Sequence, residues 1–527
     1  MIQISPLPTG LSLQESLWNL YYGGKQMTIN IGASSAASIW TTIDWSKIEK
    51  AVYRLQMRIA KARRQKRFGK VKSLQWLLTH SMAAKLWSVK RVTSSQGAKT
   101  AGVDGKLYKS SGKKLQLAKG LKTRSYKAQP LKRVYIPKSN GKKRPLGIPT
   151  LYDRAMQALY LLALEPIAEM QADSNSYGFR PRRSTADAIE QAFRVLAGKH
   201  CAQWILEGDI KSCFDSISHD WLLNNVLIDK RILREWLKAG YIEDQTLFPT
   251  AEGTPQGGII SPVLANLVLD GLEKAITKLA RGKTRHKVHM IRYADDFIIT
   301  GDSQEVLEND IKPIIVEFLE QRGLTLSNEK TSITHIDKGF NFLGFNIRKY
   351  QGKLFIKPSK ESIKSFLMKI RCVVNANKTA TAWELIGQLN PKILGWVNYY
   401  RHSVAKSVFT YVDDCIYRRI SRWTRRRHNN KNMSWIRNKY FHRCGSDNWV
   451  FFGTQKREDG VKGIVNLANA SFTPIKRHIK VKMKARLYDP KYTNYFVNRK
   501  RGGEAKLYHY HVVSQLNLFD ERNWQLT

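Results

Sequence analysis

The sequence predicts an α+β fold with helical ends and a centre in which strands and helices alternate. From residue 44 to about residue 92, apolar residues recur at the three- and four-residue spacing of helices. Between about residues 130 and 350, short apolar strand patterns are interleaved with helical ones, and beyond residue 350 the pattern is mainly helical. The 527 residues, of which 42% are hydrophobic, suffice for two or three domains with cores of their own.

The composition is strongly basic. Lys and Arg number 89 and Asp and Glu 42, which leaves a formal charge of +47. Such a charge is self-repulsive and indicates a polyanionic partner, above all nucleic acid. A solvated cationic surface and an anionic membrane are the alternatives. A membrane is disfavoured because no stretch of about 18 uninterrupted apolar residues occurs.

Cysteine usage and the N-terminus bear on the compartment. The 5 cysteines are widely spaced and form no Cys-x-x-Cys pair, so neither a disulfide scaffold nor a zinc module is predicted, and a reducing compartment fits. The N-terminus lacks the charged start and apolar centre of a secretory signal. We therefore predict that the protein is not secreted, that residues 1–40 form a poorly ordered leader, and that Met27 is an alternative start.

The predicted N-terminal helices carry a basic face. Their apolar residues share one side, and the other side holds a series of cations that includes Arg63, Arg64 and Arg67. A salt-bridged, solvated surface is the usual origin of such a run, but few acids are available here for pairing. We therefore predict that this face contacts RNA phosphates.

A cationic hairpin follows. Residues 133–138 and 144–149 predict two strands, and residues 139–142 predict the turn between them. This arrangement displays Lys138 and Arg144 at the tip and edge of the hairpin.

Two adjacent carboxylates, Asp295 and Asp296, stand between the apolar runs 288–291 and 297–299. The pattern predicts a β-hairpin with both carboxylates at its tip, where they repel each other and resist burial. A bound divalent cation compensates such a pair best, so we predict a metal site. Asp209 ends a further apolar run. Three aspartates on neighbouring strands suit two Mg²⁺ ions about 4 Å apart, the arrangement used for nucleotidyl transfer.

Three other features suit such a site, and each has a plainer alternative. Phe214 lies shortly after the first aspartate and has the size to place a ring below the incoming sugar and exclude a 2′-hydroxyl, or it is ordinary core. The loop at 253–262, with Gln256 and Gly257, suits close approach to a templating base pair, or it is a common turn. Lys330 has the chemistry to donate a proton to leaving pyrophosphate, or it is a surface lysine.

Further basic segments flank this centre. A strongly apolar helix is predicted at 153–171, and the basic loop after it contains Arg180 and leads into another helix. Beyond residue 350, we expect Trp396 to be packing, since aromatic residues at helical spacing are mostly core. The run Arg425, Arg426 and Arg427 is expected to contact nucleic acid. Beyond about residue 470 the chain is basic and weakly periodic, which indicates a nucleic-acid-binding tail or an arm that orders on binding.

The order of these motifs resembles that of reverse transcriptases, and the details resemble the proteins encoded within group II introns, especially those of cyanobacteria and chloroplasts. The similarity runs from about residue 44 to near residue 480. In chain order, the motifs are Gly97-Ala98-Lys99-Thr100-Ala101-Gly102-Val103-Asp104-Gly105, Tyr135-Ile136-Pro137-Lys138, Arg144-Pro145-Leu146-Gly147-Ile148-Pro149, Ser176-Tyr177-Gly178-Phe179-Arg180-Pro181, Asp209-Ile210 with Phe214-Asp215, Pro255-Gln256-Gly257-Gly258, Tyr293-Ala294-Asp295-Asp296, Phe342-Leu343-Gly344-Phe345, Leu394-Gly395-Trp396-Val397-Asn398-Tyr399-Tyr400 and Arg425-Arg426-Arg427-His428. Each motif alone is weak, but the ordered set is very specific.

The resemblance implies a right-hand polymerase fold. We expect basic N-terminal helices and fingers at 41–190, a palm at 191–350, a helical thumb and maturase region at 351–465, and a basic nucleic-acid-binding segment at 466–527.

The resemblance also assigns roles within the site. The expected catalytic residues are Asp209, Asp295, Asp296 and Lys330, with two Mg²⁺ ions held by the three aspartates and the carbonyl of Ile210. The expected nucleotide-binding residues are Lys138, Arg144, Phe214 and Gln256. The expected nucleic-acid contacts are Arg63, Arg64, Arg67, Arg180, Gly257, Arg425, Arg426 and Arg427.

The function implied by the resemblance is that of an RNA-directed DNA polymerase that is also a maturase. Its expected partners are its host group II intron RNA, an RNA template with a DNA primer, target DNA and deoxynucleoside triphosphates, in a bacterial cytoplasm or an organelle and without a membrane. Many relatives end in a zinc-dependent endonuclease of the His-Asn-His type. No paired Cys motif is present here and no cysteine follows Cys444, so we expect no endonuclease activity and a DNA primer from elsewhere, such as a nascent strand at a replication fork. A splicing-only maturase and a reverse transcriptase with a host or defence role are the alternatives.

Overall fold

The computed structural model describes residues 36–137, 141, 143–254, 257–280, 287–445, 447–456 and 462–501. The predicted leader lies almost wholly outside the described residues, as do two predicted nucleotide-binding residues, Lys138 and Gln256. Within the described ranges, no helix is both long enough and apolar enough to cross a membrane.

Helices and a β-hairpin make up the N-terminal part of the described chain. They are α1 (Ala36–Thr42), α2 (Trp45–Arg64), α3 (Phe68–His80), α4 (Met82–Thr93), α5 (Ser111–Gly120), β1 (Leu131–Pro137) and β2 (Lys143–Ile148). Asp44 caps α2 by accepting hydrogen bonds from the backbone N–H groups of Ser46 and Lys47. Val52 and Ile59 on its predicted apolar face are buried. The predicted helices and hairpin are therefore confirmed.

The central part alternates helices and strands. It contains α6 (Leu151–Gln171), α7 (Thr185–Leu196), β3 (Trp204–Gly208), α8 (His219–Asn225), α9 (Lys230–Leu237), β4 (Tyr241–Glu243), β5 (Thr246–Phe248), α10 (Ser261–Leu269), α11 (Leu272–Ala280), β6 (His289–Tyr293), β7 (Asp296–Gly301), α12 (Lys312–Glu320) and β8 (Ser332–His335). A π-helix, Val306–Ile311, precedes α12. The strongly apolar α6 is buried on almost all sides and packs against α2 and α4, which confirms the apolar helix predicted there.

Two sheets come from these strands. In the first, with the order β2-β1-β4-β5, β1 is antiparallel to β2 and parallel to β4. The β4–β5 hairpin lies in the range predicted as palm. Its strands nevertheless belong to the same sheet as β1 and β2, which lie in the range predicted as fingers. The second sheet has the order β6-β7-β3-β8, and all its neighbours are antiparallel.

The inner strands of the second sheet, β7 and β3, are largely buried on both faces. Successive side chains of a strand point to opposite faces. Ile205 and Ile298 accordingly join one core with the C-terminal helices, while Leu206 and Phe297 join another with the N-terminal helices. Burial on both faces explains why these strands are almost continuously apolar. It also makes the sheet a fixed support for the loops at its end.

The C-terminal part contains β9 (Phe340–Phe342), β10 (Phe345–Tyr350), β11 (Lys353–Pro358), α13 (Lys360–Ala376), α14 (Ala382–Tyr400), α15 (Lys406–Arg427), α16 (Met433–Tyr440), β12 (Phe441–Cys444), β13 (Asp447–Lys456), β14 (Lys462–Asn466) and α17 (Thr493–Arg501). Trp396 is buried and stacks on Phe366 with ring centroids 4.6 Å apart, which confirms that it is packing. The sheet β12-β13-β14 departs from the mainly helical prediction. Val450 and Phe451 are adjacent and both buried, so the alternation that marks a half-exposed strand is absent.

The segment after β14 crosses the body of the protein. Residues 470–490, which we call the C-terminal strap, begin at α15, where Asp413 accepts hydrogen bonds from the N–H groups of Ala470 and Ser471. The strap then reaches α7, where Asp187 accepts from the N–H of Val481, and α6, where Tyr488 donates to Glu165. Much of this packing uses backbone groups, so the sequence needs no helical or strand period there. The prediction that the segment also binds nucleic acid stays a prediction.

Candidate active site

The hairpin between β6 and β7 presents two of the three predicted aspartates. Tyr293 pairs with Asp296, and the two residues between them, Ala294 and Asp295, form the turn. Ala294 has a φ of +59°, in the left-handed region that residues with a Cβ seldom adopt. The predicted hairpin is confirmed, and its turn has a backbone conformation that needs support from outside.

The third aspartate follows the strand next to this hairpin. Gly208 of β3 pairs with Phe297 of β7, so the register continued by one residue sets Asp209 opposite Asp296. A Cβ at Gly208 would lie only 2.2 Å from the Phe297 ring, which explains the glycine just before the aspartate. The three aspartates therefore meet at the end of the buried sheet, as the sequence predicts.

A second chain segment brings Lys330 to this group. Ile210 forms an isolated antiparallel bridge with Leu326. The residues on either side of the bridged pair make its hydrogen bonds; for example, the Ser327 N–H donates to the Asp209 carbonyl at 2.8 Å. The Ile210 carbonyl therefore points away from the segment that contains Leu326. Lys330 Nζ donates to Asp209 Oδ2 at 2.9 Å, although 68% of its side chain remains exposed. The lysine is thus in direct contact with one of the proposed metal ligands.

The carboxylates of this group disfavour one another's ionisation. Burial first, and then the charges of Asp295 and Asp209, raise the pKa of Asp296 to about 7. Burial also raises the pKa of Asp295, against which the cation Arg144 acts in the opposite direction. The hydrogen bond to Asp209 raises the pKa of Lys330. The neighbouring cations therefore do not fully neutralise the negative charge of the three aspartates.

The donor set suits a hard cation. Carboxylate and carbonyl oxygens are the ligands that Mg²⁺ prefers, and excess negative charge at a buried sheet end favours a bound cation. Among the residues that the structure describes, however, no three His, Cys, Asp or Glu side chains are clustered as a complete metal site. The three aspartates therefore fit the ions by chemistry and charge, and their role as ligands remains a prediction.

Phe214 and the glycine-rich loop meet beside the aspartates. The Phe214 carbonyl accepts the N–H of Thr254 at 2.6 Å, and Phe179 packs edge-on against its ring. Gly257 has a φ of +114°, and a Cβ there would lie 2.6 Å from the carbonyl oxygen of Gly147 in β2. Two separate motifs thus pack together against the strand that carries Arg144. Phe214 is half-buried and packs on the core. Its contact with the sugar of an incoming nucleotide stays a prediction.

One residue of this site was not predicted. Arg292 is 1% exposed, and it donates to Asn266 Oδ1 at 3.0 Å, to the carbonyl of Ala294 at 3.1 Å and to Asp270 Oδ1 at 2.5 Å. It thereby holds the turn that carries Asp295. An arginine inside an otherwise apolar strand was the available signal, because such a group needs buried partners.

The loop at residues 176–180 supports the same turn from the other side. Tyr177 N–H donates to the Arg292 carbonyl at 2.9 Å, and the Gly178 carbonyl accepts from Asn266. A Cβ at Gly178 would lie 2.3 Å from the backbone nitrogen of Ala294, so only glycine allows this approach. The strained turn is therefore held between this loop and Arg292.

Arg180 of the same loop is structural. Its Nε and Nη2 donate to Glu169 at 2.7 and 3.0 Å, and its Nη1 donates to the carbonyls of Asp173 and Ser176. Only 3% of the residue is exposed. The prediction that Arg180 contacts nucleic acid is wrong, because the guanidinium compensates a buried carboxylate and has no free donor at the surface.

The other predicted contact arginines remain nearer the surface. Arg64 pairs with Asp489 of the C-terminal strap at 2.9 Å while 48% of its side chain is exposed, and Arg63 donates to Gln171. Three further predicted contacts are exposed: Arg67, Arg425 and Arg426. The last one, Arg427, is half-buried and lies over the Trp423 ring. Their contact with nucleic acid remains a prediction.

Comparison with known proteins agrees with this geometry. Residues 136–347 match the model of a reverse transcriptase (RNA-dependent DNA polymerase), residues 40–121 match the N-terminal domain of reverse transcriptase, and residues 363–441 match the group II intron maturase-specific domain. The fold is accordingly the right-hand polymerase fold, and the sheet β6-β7-β3-β8 lies within the range that the sequence predicts as its palm.

Individual relatives point to a narrower group. The chain is 36% identical over 301 residues to protein YkfC of Escherichia coli, covering 49% of this chain and 78% of that protein. It is 30% identical over 402 residues to the group II intron-encoded protein LtrA of Lactococcus lactis, covering 58% of this chain and 67% of LtrA. An uncharacterized 91 kDa protein in the cob intron of Schizosaccharomyces pombe is 29% identical over 392 residues, with 58% and 48% covered. The chain belongs to the reverse transcriptase and maturase family of group II intron-encoded proteins.

A solved structure of telomerase from Candida albicans, in complex with a fragment of telomeric RNA, has a TM-score of 0.35 to this chain. The two chains are 12% identical, and the match covers 61% of this chain and 67% of that one.

Proposed function

We propose that the protein is an RNA-directed DNA polymerase that also assists splicing of its host group II intron RNA. The observation that carries the first activity is the group of Asp209, Asp295 and Asp296 at the end of the buried palm sheet, where the protein leaves their charge largely uncompensated. Two Mg²⁺ ions bound there would stabilise the charge that develops on the attacking and leaving oxygens of nucleotidyl transfer.

The side chains around this group divide the remaining work. Arg144 is close enough to influence Asp295, and its guanidinium suits bidentate contact with a triphosphate, a role it would share with Lys138. Lys330 holds Asp209 and carries a proton that leaving pyrophosphate can accept. Phe214, with Gln256 and Gly257 on the adjoining loop, would bound the sugar and the templating base pair.

The second activity rests on the maturase region and the net charge. A charge of +47 favours many phosphate contacts, which give strong but salt-sensitive binding. In this proposal the RNA performs the splicing chemistry and the protein stabilises its fold. We assign the N-terminal helices and fingers to residues 41–190, the palm to 191–350, the thumb and maturase region to 351–465 and a nucleic-acid-binding segment to 466–527. Target DNA and deoxynucleoside triphosphates are the further partners.

Primer extension on an RNA template with deoxynucleotides and Mg²⁺ tests the polymerase. The wild type should extend the primer, and Asp295→Ala/Asp296→Ala should not. Glu308→Ala/Asp310→Ala is the matched control, because it removes two carboxylates from exposed positions after β7 and should extend normally. Extension by the wild type and the Asp295→Ala/Asp296→Ala variant alike would contradict the assigned site.

Splicing of the host intron RNA separates the two activities. Asp295→Ala/Asp296→Ala should still promote splicing, because RNA binding uses other surfaces. A folded wild type that promotes splicing but extends no primer would be a splicing-only maturase. Equal loss of both activities in the double variant would contradict the separation.

A further inference from the structure

A groove lies between α13 and α15 in the maturase-specific region. The two helices pack on each other and leave a cavity of about 400 Å³ at the surface. Its lining includes Lys364, Leu367, Met368 and Arg371 from α13 and Tyr411 and Arg419 from α15. The volume lies in the range of about 300–1,000 Å³ that is usual for small-ligand sites. The proposed polymerase chemistry uses none of these residues.

The cations of the groove lack acidic partners. Among the residues that the structure describes, no carboxylate forms an ion pair with Lys364, Arg371 or Arg419. Their neighbour Arg418, in contrast, pairs with Asp414 at 2.7 Å. Arg419 is half-buried, and burial together with nearby cations, Arg371 first among them, lowers its pKa. A solvated cationic helix face would spread such charges apart, whereas here they converge on one cavity and favour an anion.

The groove also exposes apolar surface beside these cations. Tyr411 is 56% exposed and Met368 is 50% exposed, while Leu367 is half-buried below them. Exposed aromatic and apolar side chains inside a cationic rim match a ligand that has both a flat apolar part and a negative charge. A nucleotide has this combination, since any base can stack on an aromatic ring while its phosphate meets Arg or Lys.

We propose that this groove binds one unpaired nucleotide of an RNA, with its base against Tyr411 and its phosphate between Arg371 and Arg419. Paired bases in an RNA helix are covered by their neighbours, so a duplex would use the cations but not the ring. The occupant is therefore a bulged or looped-out nucleotide. The inference rests on the proposed binding of intron RNA, and it adds the kind of RNA element that the maturase region recognises.

Binding of two labelled RNA hairpins tests the pocket. They share one stem and differ only in a single bulged adenosine, and their dissociation constants are measured with the full-length protein at several salt concentrations. The wild type should bind the bulged hairpin more tightly. Tyr411→Ala should weaken that binding by about 5- to 150-fold, the range of base stacking on an aromatic side chain, and leave the paired hairpin unaffected. Tyr411→Phe should keep the preference, because the ring is retained.

Two double variants test the phosphate contacts. Arg371→Ala/Arg419→Ala should reduce the salt dependence of binding by about the contribution of one phosphate contact, and for the bulged hairpin only. Arg418→Ala/Arg422→Ala removes the same charge from α15 outside the cavity lining and should leave the preference for the bulge intact. An equal effect of both double variants on both hairpins would mean that the groove contributes charge alone, which would overturn the pocket.

A crosslink provides a readout that does not depend on affinity. With 4-thiouridine at the bulge, irradiation should join the RNA to peptides that contain residues 364–371 or 411–419. Crosslinks confined to other peptides, or a wild type with no preference for the bulge, would overturn the pocket but leave RNA binding intact. Failure of the wild type to bind either hairpin would instead contradict the proposed RNA-binding function as well.

Discussion

Two buried acidic sites of the protein have opposite electrostatic arrangements. Glu169 of α6 meets Arg180 through two hydrogen bonds, and the arginine holds the pKa of that carboxyl below its usual range despite burial. For Asp296 at the end of β7, burial first and then the charges of Asp295 and Asp209 raise the pKa to about 7. Lys330 contacts the group only through Asp209 and is mostly exposed, so it compensates weakly.

The difference is the basis for proposing that Glu169 is a structural carboxylate and Asp296 a functional one. A chain that buries an acid for stability supplies a cation with matched hydrogen bonds, as Arg180 does. Where the chain buries several acids together without such a partner, folding is opposed, and a ligand from solution is the natural compensation. Arg292 combines both features, because it pairs with the buried Asp270 and also holds the turn before Asp295.

The largest expected effect comes from the one cation in hydrogen-bond contact with Asp209 in the described structure. Lys330→Ala should lower the rate of primer extension by about 10²- to 10⁴-fold, the usual contribution of a positioned proton donor, while the protein stays folded. Single-turnover extension measures the rate. Lys338→Ala, at an exposed position before β9, is the control and should extend normally. An unchanged rate in Lys330→Ala would remove the lysine from the chemistry.

Arg292→Leu should destabilise the protein and release the turn before Asp295. It leaves Asp270 buried without its cation, so the free energy of unfolding should fall by about 3–5 kcal/mol. Urea denaturation measures this change, and Arg231→Leu, which breaks an exposed pair with Asp229, should cost about 0–1 kcal/mol. Similar losses in both variants would mean that burial does not set the strength of the Arg292 pair.

Gly178→Ala should move the catalytic turn without changing any charge. The added methyl group would overlap the backbone of Ala294, and relief of such overlap costs about 1–3 kcal/mol. We expect slower extension, because any displacement of Ala294 also moves the adjacent Asp295. Gly120→Ala, where an added Cβ meets nothing within 4 Å, is the control. Wild-type extension rates in Gly178→Ala would contradict the role of this contact.

Phe214→Ala should have the smallest effect, on selectivity rather than on rate. Removing the ring would admit a 2′-hydroxyl, so discrimination against ribonucleotides should fall on the order of tenfold or more. Competition between a deoxynucleotide and its ribonucleotide during extension measures the ratio. Unchanged selectivity would assign Phe214 to the core, the alternative that its half-burial supports.

Much of the site was predictable because its residues end local patterns. Asp209, Asp295 and Asp296 each interrupt an apolar strand, and an acid at such a point needs no long-range information to be noticed. The hairpin β1–β2 and the apolar helix α6 were predictable because the pattern lies in their own residues: two strand patterns around a turn in the hairpin, and an almost continuous apolar run in the helix.

Residues whose role depends on a distant partner were not predictable. Arg180 was expected at the surface because nothing local shows that Glu169 needs it, and Arg292 was overlooked because Asp270 and Asn266 lie on other elements. The C-terminal strap has no period, since its contacts are largely made by backbone groups. The sheet β12-β13-β14 was hidden by adjacent buried residues.

The most direct measurement compares the stability of Asp296→Asn and Glu169→Gln by urea denaturation at about pH 8, above the raised pKa of Asp296, with EDTA and without Mg²⁺. Both substitutions remove one buried negative charge and keep the size of the side chain. Asp296→Asn should be more stable than the wild type, on the order of 1–3 kcal/mol, because a charge is no longer buried there and the repulsion by Asp295 and Asp209 is relieved. Glu169→Gln should be less stable by about 3–5 kcal/mol, because Arg180 loses its partner. If both variants are destabilised alike, Asp296 is a compensated structural carboxylate and the proposed metal site is wrong.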